Sequence, residues 1–163
     1  VAKRVSYARE TARLRAELSA VERTRIDAAM QSQANRLQVM IALARRQARG
    51  DNILHLSVAV DSGVLYLEQE GAVLRAMRAE IGSDAWIRTG PRDSVRVTAP
   101  RGTRTIDRVL DDTAVVLNGG TLIYARSVPE SGAPPRAGSV RVDAADLKAL
   151  QPNLRRGQRV YFY

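Results

Sequence analysis

Apolar residues in the first third of the chain recur in steps of four and three, the spacing that places side chains on one face of a helix. No Pro or Gly occurs between Tyr7 and Arg49, and strong helix formers dominate this stretch. Gly50 follows, and glycine is typical just beyond the end of a helix. The pattern predicts one long helix within residues 1–50, roughly 65 Å in length at about 1.5 Å per residue.

The best apolar stretch of this predicted helix is here called the helix seam and consists of Met30, Ala34, Leu37, Ile41 and Ala44. The seam is thin and rich in alanine, and a second short seam that begins at Leu14 stops at polar Arg25. Such a pattern favours docking on a larger partner over a self-sufficient dimeric coiled coil. A helix that folds back on its own domain stays open as the alternative.

From Ile53 onward, apolar and polar residues alternate, which is typical of strands with one buried face. The predicted strands cover residues 54–60, 64–67, 72–74, 94–97, 105–109, 114–117, 121–124 and 158–163. Residues 144–150 are predicted as one short helix with Asp143 at its N-cap. The predicted fold class is α+β: a long helix in a first domain, 1–50, and a mostly-β sandwich or barrel in a second, 53–163. We expect the second domain to fold without the helix.

The composition excludes several kinds of chemistry. Cysteine is absent, and His55 is the one histidine among 163 residues. Disulfides, thiolate catalysis and zinc sites built on Cys or on several His are thereby excluded, and we predict neither a metal nor a cofactor. No run of about 18 apolar residues occurs, so no transmembrane helix is predicted within these residues.

The charge is concentrated near the start of the sequence. The formal net charge is +9, and residues 1–50 contain 11 basic and 4 acidic residues. A basic helix attracts polyanions, so nucleic-acid binding through this arginine-rich segment stays open as an alternative function. Acidic residues interrupt the arginines, no leucine zipper follows, and aromatic residues make up only 4% of the chain. We therefore predict no specific nucleic-acid partner.

The C-terminal segments resemble a known enzyme family. The run Gly138-Ser139-Val140-Arg141-Val142, the short helix at 146–150, and Gly157 with the strand after it are similar to the end of an L,D-transpeptidase (YkuD-like) catalytic domain. Segments 56–60 and 64–67 resemble the family's opening hairpin, and residues 99–102 resemble its Thr-Pro-x-Gly element. The likeness covers residues 53–163 and implies the fold of that family.

The catalytic positions of the family are replaced in this sequence. The resemblance implies a Cys nucleophile, activated by a His, that attacks peptidoglycan stem peptides, but Ser139 stands at the Cys position. The family's His-Gly pair falls on Tyr124-Ala125, and its Ser-His pair falls on Arg136-Ala137. A serine needs a positioned base, and a tyrosine with an ordinary pKa of about 10 is a poor base at neutral pH. The resemblance thus implies a degenerate domain that is not an enzyme.

The chemistry-bearing residues take structural roles in this interpretation. We expect Ser139 to fill the former Cys position and Arg141 to pair with a carboxylate or with backbone carbonyls. A relic contact to a ligand is the alternative for Arg141. His55 is expected on a strand face with its ring nitrogens satisfied, and nothing in the sequence places it beside Ser139.

The favoured function is that of a pseudoenzyme: a non-catalytic structural or accessory subunit of a membrane-associated complex in the cell envelope. Its partners would be other protein subunits, docked on the helix seam. We expect a periplasmic location, with an inner-membrane anchor in a segment upstream of Val1. The alternatives are a module that binds peptidoglycan stem peptides without cleaving them, the nucleic-acid binder and, ranked last, a hydrolase or transferase that uses Ser139.

Overall fold

The computed structural model describes residues 2–127 and 132–163, with side chains described from residue 10 onward. The chain divides into two compact units, Val1–Val39 and Met40–Tyr163. Helix α1, Ala2–Gly50, contributes its last turns to the second unit. The predicted domain boundary lay at the end of the helix, whereas the second compact unit begins about three turns earlier. Neither described helix combines the length and the apolarity that a membrane span requires.

Helix α1 confirms the predicted long helix and changes one part of the predicted docking face. Met30, Ala34 and Leu37 of the helix seam are exposed, and Ile41 is half-buried. Ala44 is only 1% exposed, because the last turns of α1 pack within their own chain. Ala44 is therefore corrected from a residue available to a partner to a residue packed inside the second unit.

Ten strands are described after the helix. Their bounds are β1 His55–Ala59, β2 Val64–Gln69, β3 Ala72–Ile81, β4 Ala85–Arg88, β5 Ser94–Val97, β6 Gly102–Leu110, β7 Ala114–Leu117, β8 Leu122–Ala125, β9 Val140–Val142 and β10 Arg159–Phe162. Eight of the described strands close a barrel in the order β1-β10-β6-β7-β8-β9-β3-β2, while β4 and β5 form a separate two-stranded sheet. Strand β1 is parallel to β10, and β8 is parallel to β9. The α+β class is confirmed, and of the two predicted β architectures the structure has the barrel.

The core of the barrel consists of apolar side chains that point inward from alternate strand positions. Leu56 and Val58 of β1 are fully buried, as is Val160 of the neighbouring β10. Helix α2, Ala144–Leu150, adds the buried side chains of Leu147 and Leu150 to the same cluster. The period-two pattern of the sequence therefore identified the residues that fill the barrel.

The last turns of α1 cover the outer face of β1 and β10. The Arg45 guanidinium lies 5.2 Å from the centre of the Tyr163 ring, and the Thr103 hydroxyl donates a 2.8 Å hydrogen bond to the Gln47 side chain. Under this cover, His55 and Ser57 on the outer face of β1 are buried as completely as their apolar neighbours. Strand β1 is consequently buried on both faces.

Some elements differ from the sequence-based expectation. Strands β4 and β9 were not predicted, and β3 extends to Ile81, well beyond the predicted end at Leu74. Asp143 occupies the N-cap position of α2, as predicted, but its side chain makes no capping hydrogen bond. One oxygen of the Asp143 carboxylate instead lies 3.7 Å from Nε of Arg126, in an ion pair with the end of β8.

Candidate functional site

The predicted degenerate site lies on two adjacent parallel strands, β8 and β9. Tyr124 of β8 is in register with Arg141 of β9, and Ser139 directly precedes β9. Tyr124 is 6% exposed, and so is Ser139. The fold therefore brings together the three residues that the resemblance placed at the degenerate site.

No hydrogen bond joins the Ser139 hydroxyl to a possible base among the residues that the structure describes. The hydrogen bonds described for Ser139 belong to its backbone: its N–H donates to the Arg136 carbonyl at 3.1 Å, and its carbonyl accepts from the Gly82 N–H at 2.9 Å. His55 lies on β1, and strands β2 and β3 stand between β1 and β9 in the barrel. A serine hydroxyl without an adjacent base is a poor nucleophile. The arrangement thus gives Ser139 the structural role of a small buried residue.

The segment before Ser139 is packed tightly against the end of β3. A Cβ atom at Gly82 would lie 1.9 Å from the Arg136 carbonyl oxygen, so the two backbones touch at a position that only glycine allows. A Cβ atom at Gly138, whose φ is +69°, would lie 2.5 Å from a methyl group of Val97. Residues 136–138, which lead to Ser139, are therefore in close contact with the end of β3 and with the end of β5.

Tyr124, on β8, also contacts this segment, through Arg136. Its hydroxyl oxygen accepts a 2.9 Å hydrogen bond from the Arg136 N–H, and the Arg136 guanidinium stands 5.2 Å from the centre of the Tyr124 ring. A ring stacked under a cation and bonded at its hydroxyl is a packing element. Tyr124, at the position that the resemblance assigns to the family's His, thus holds the segment that leads to Ser139.

Arg141 is held by an internal network of ions. Its side chain is buried, with Nε donating to a Glu80 oxygen at 2.6 Å and Nη1 donating to the Ala133 carbonyl at 2.7 Å. Arg126 donates to the other Glu80 oxygen. The hydrogen bond from Arg141 is the main reason that the pKa of Glu80 lies below its ordinary value; burial opposes this effect, and the charges of both arginines support it. Arg141 thus pairs with a carboxylate and with a backbone carbonyl, the two kinds of partner that the sequence led us to expect.

A second polar cluster lies under the last turns of α1. His55 Nδ1 is 2.8 Å from the Ile53 carbonyl oxygen, and Nε2 is 3.0 Å from a Glu68 oxygen that also accepts a 2.8 Å hydrogen bond from Ser57. A carbonyl oxygen only accepts, so Nδ1 of His55 donates to Ile53. Both ring nitrogens of the buried His55 therefore have a hydrogen-bonding partner, as the sequence predicted.

Asp51 joins this cluster to β10. Its Oδ2 accepts a 2.7 Å hydrogen bond from the Tyr161 hydroxyl and lies 3.3 Å from Arg159 Nη1, while Oδ1 accepts from the Ile53 N–H at 3.0 Å. Burial alone would raise the pKa of Asp51, but the hydrogen bonds from Tyr161 and Ile53 and the charges of His55 and Arg159 outweigh it, so the pKa is lowered. The Asp51 carboxylate is therefore ionised at neutral pH, and both of its oxygens accept hydrogen bonds.

This second cluster was not predicted from the sequence. Gly50 indicated the end of the helix, and no pattern singled out Asp51, the residue after it. The alternation along β1 placed His55 and Ser57 on one face, which was the available signal for a polar layer.

A cleft of about 590 Å³ opens beside the cluster, and its walls include Leu43, Arg46, Thr103 and Tyr161. Among the residues that the structure describes, no group of three or more acidic, His or Cys side chains is placed to hold a metal ion.

Comparison with known proteins identifies the fold. No family model matches the sequence, and no curated protein matches it. Among solved structures, an L,D-transpeptidase from Xylanimonas cellulosilytica superimposes with a TM-score of 0.59 at 21% identity, covering 69% of this chain and 61% of that one. An L,D-transpeptidase from Stackebrandtia nassauensis gives a TM-score of 0.51 at 15% identity, with 67% and 54% of the two chains covered. The chain thus spans less than two thirds of the length of either structure. It has the L,D-transpeptidase fold, as the sequence predicted, and lacks the cysteine on which those enzymes depend.

Proposed function

We propose that the protein is a non-catalytic structural or accessory subunit of a cell-envelope complex, in which the barrel is a scaffold and α1 docks on partner subunits. The observation that carries the proposal is the state of the degenerate site. The sequence contains no cysteine, the hydrogen bonds described for Ser139 belong to its backbone, and the Tyr124 hydroxyl is engaged by the Arg136 N–H. A fold that is kept while its chemistry is lost is suited to a binding or structural role.

The cell-envelope location rests on the fold. The solved structures with this fold are named L,D-transpeptidases, and the family acts on peptidoglycan, which lies in the envelope. A degenerate member that works as a subunit would serve in the same compartment. The lack of cysteine is compatible with an oxidising periplasm.

The docking role rests on the exposed part of the helix seam. Met30 is 64% exposed and Leu37 is 42% exposed, and both lie on the same helix face as the buried Ala44. Covering Met30 and Leu37 would contribute about 1.5–3 kcal/mol each before the cost of association is subtracted. A partner that continues the packing begun at Ala44 would gain this energy.

The decisive experiment is a double substitution on the seam. Met30→Asp with Leu37→Asp, in tagged protein purified from the envelope of its own host, is expected to abolish recovery of defined partner subunits and leave the melting temperature of the barrel unchanged. Ala28→Asp with Gln38→Asp adds the same charge off the seam and is the matched control. Loss of thermal stability in the first variant would contradict docking and support a helix folded on its own domain.

The two alternative functions have their own tests. Pull-down on purified sacculi would detect binding of peptidoglycan stem peptides. Binding of nucleic acid through residues 1–50 would be weak and strongly salt-dependent, because it would rest on counterion release. A preference of about 1000-fold for one DNA sequence over random duplex at physiological salt would favour the nucleic-acid function over the proposal.

A further inference from the structure

Strands β4 and β5 form a hairpin that stands apart from the barrel sheet. The two strands pair with each other and not with the barrel, with Trp86 opposite Arg96 and Ile87 opposite Val95. Opposed residues share a face, and successive residues alternate between faces. Trp86 and Arg96 therefore lie on one face of the hairpin, whereas Ile87 and Val95 lie on the other.

Large apolar side chains are exposed on both of these faces. Trp86 is 70% exposed, Val95 is 53% exposed and Ile87 is 44% exposed. A partner protein that docks on a sheet covers one face and leaves the other in water. Because apolar side chains are exposed on both faces of the hairpin, covering all of them requires an apolar environment that surrounds the hairpin.

The base of the hairpin contacts the segment before β9, where Val97 packs against Gly138. The two ends of the hairpin are joined to each other, because the Asp84 carboxylate accepts a 3.0 Å hydrogen bond from the Ala99 N–H. The other Asp84 oxygen is 3.4 Å from Arg96 Nη2. The attachment leaves the loop at 89–93 as the far end of the hairpin, with Trp86 and Ile87 on the strand that leads to it.

Positive charge accompanies the apolar residues. Residues 84–97 contain three arginines and two aspartates. Asp84 is engaged at the base with Arg96, which leaves Arg88 and Arg92 nearest to the far end, opposed there by Asp93. Arginines beside exposed tryptophan match a surface of negatively charged phosphates over an apolar layer.

We propose that the hairpin 84–97 is a membrane-contact element that inserts into the headgroup region of an anionic bilayer. Trp86, Ile87 and Val95 enter the boundary between headgroups and acyl chains, and Arg88 and Arg92 meet lipid phosphates. Insertion stays shallow, because both outer edges of the two-stranded sheet carry backbone groups that water or phosphate must satisfy and that hydrocarbon cannot. This contact is separate from the docking of the helix seam.

The chain provides its own reporter, because Trp86 is its one tryptophan. The intact protein is titrated with vesicles of phosphatidylcholine and phosphatidylglycerol in equal parts, and with vesicles of phosphatidylcholine alone. With the anionic vesicles, we expect a blue shift of Trp86 emission, quenching by lipids brominated near the headgroup, and co-sedimentation. Pure phosphatidylcholine should give none of these at the same lipid concentration.

Two pairs of variants separate the hairpin from general electrostatics. Arg88→Gln with Arg92→Gln should lower the vesicle partition coefficient roughly 30-fold, since each arginine near an anionic surface contributes about 1 kcal/mol. Arg108→Gln with Arg156→Gln removes the same charge from exposed positions on the barrel and should lower it far less. Ile87→Ser with Val95→Ser should abolish the blue shift while the melting temperature is kept.

Three results would overturn the proposal. One is an unchanged Trp86 emission with anionic vesicles. Another is an equal loss of partition in the two arginine pairs, which would assign binding to net charge. The third is a blue shift produced by sacculi or by a soluble protein and not by vesicles, which would mean that the hairpin binds something other than a membrane.

Retention of vesicle binding by Met30→Asp with Leu37→Asp would separate this contact from the proposed docking helix.

Discussion

The hydroxyl of Tyr161, on β10, donates a 2.7 Å hydrogen bond to the carboxylate of Asp51, one residue after the end of α1. The two residues are 110 positions apart in the sequence, and both are buried. Burial and the neighbouring carboxylate raise the pKa of Tyr161, so the phenol keeps its proton and remains a donor at physiological pH. This bond fixes the start of the barrel to its last described strand.

Tyr161→Phe removes the donor and leaves a buried carboxylate with one hydrogen bond fewer. We expect the free energy of unfolding to fall by about 1.5–3 kcal/mol, the usual range for a hydrogen bond to a charged group. Chemical denaturation checks this. Tyr66→Phe is the matched control, because no hydrogen bond is described for that hydroxyl, and it should change stability little. Equal effects of the two substitutions would contradict the assignment.

The acid sensitivity of the barrel should depend on Glu80. The pKa of this carboxyl is lower in the folded chain than its ordinary value of 4.5, mainly because Arg141 donates to it. A carboxyl with a lowered folded pKa contributes stability that is fully present above pH 4.5 and is lost as the pH falls through the folded pKa. Melting temperatures between pH 7 and pH 3 should fall less steeply in Glu80→Gln, although that variant is less stable at pH 7. An unchanged slope would count against this network.

Restoring the thiol should not restore the enzyme. Ser139→Cys supplies the nucleophile of the family, but Tyr124 still stands where the resemblance places the family's His, and its hydroxyl is bonded to the Arg136 N–H. We expect no cross-linked or exchanged stem peptides from either form in a chromatographic assay of peptidoglycan fragments. Activity in the cysteine variant would mean that another group activates the thiol. Activity in the natural protein that is lost in Ser139→Ala would refute the non-catalytic assignment.

The barrel should need the last turns of α1 for its full stability. A fragment of residues 40–163 keeps the buried Ala44 and the Asp51 carboxylate, whereas residues 53–163 lack both. We expect the longer fragment to be more stable by about 1.5–3 kcal/mol, judged from the Asp51 contacts alone. Denaturant titration of both fragments measures the difference. Equal stabilities would mean that the cover over His55 and Tyr161 contributes nothing.

The sequence predicted those features that depend on local pattern. The strand at β1 and the helices α1 and α2 follow from the spacing of apolar residues and from turn residues nearby. Strand β4, Ala85–Arg88, was not predicted because two apolar residues, Trp86 and Ile87, stand side by side in it, so apolar and polar positions do not alternate as they do in β5. Strand β9 was not predicted, because it is only three residues long and follows a segment rich in small and polar residues.

The parts of the site that depended on long-range contacts could not be read from local pattern. The positions of Ser139, Tyr124 and Arg141 followed from the resemblance, and the structure brings them together. The close contact between the backbones of Arg136 and Gly82 joins positions about 55 residues apart in the chain, and no local signal encodes that contact. The burial of Ala44 and the bond between Asp51 and Tyr161 likewise depend on how the helix end meets the sheet.

The parallel pairing of β1 with β10 has a consequence for how the protein is made. Strand β10 lies between β1 and β6 in the barrel. The barrel sheet therefore cannot close until residues 159–162 have been synthesised. Until then, the facing edges of β1 and β6 carry unpaired backbone groups that can capture strands from other nascent chains. Because this closure joins segments about 100 residues apart, we expect it to be slower than the pairing of strands that are neighbours in the sequence.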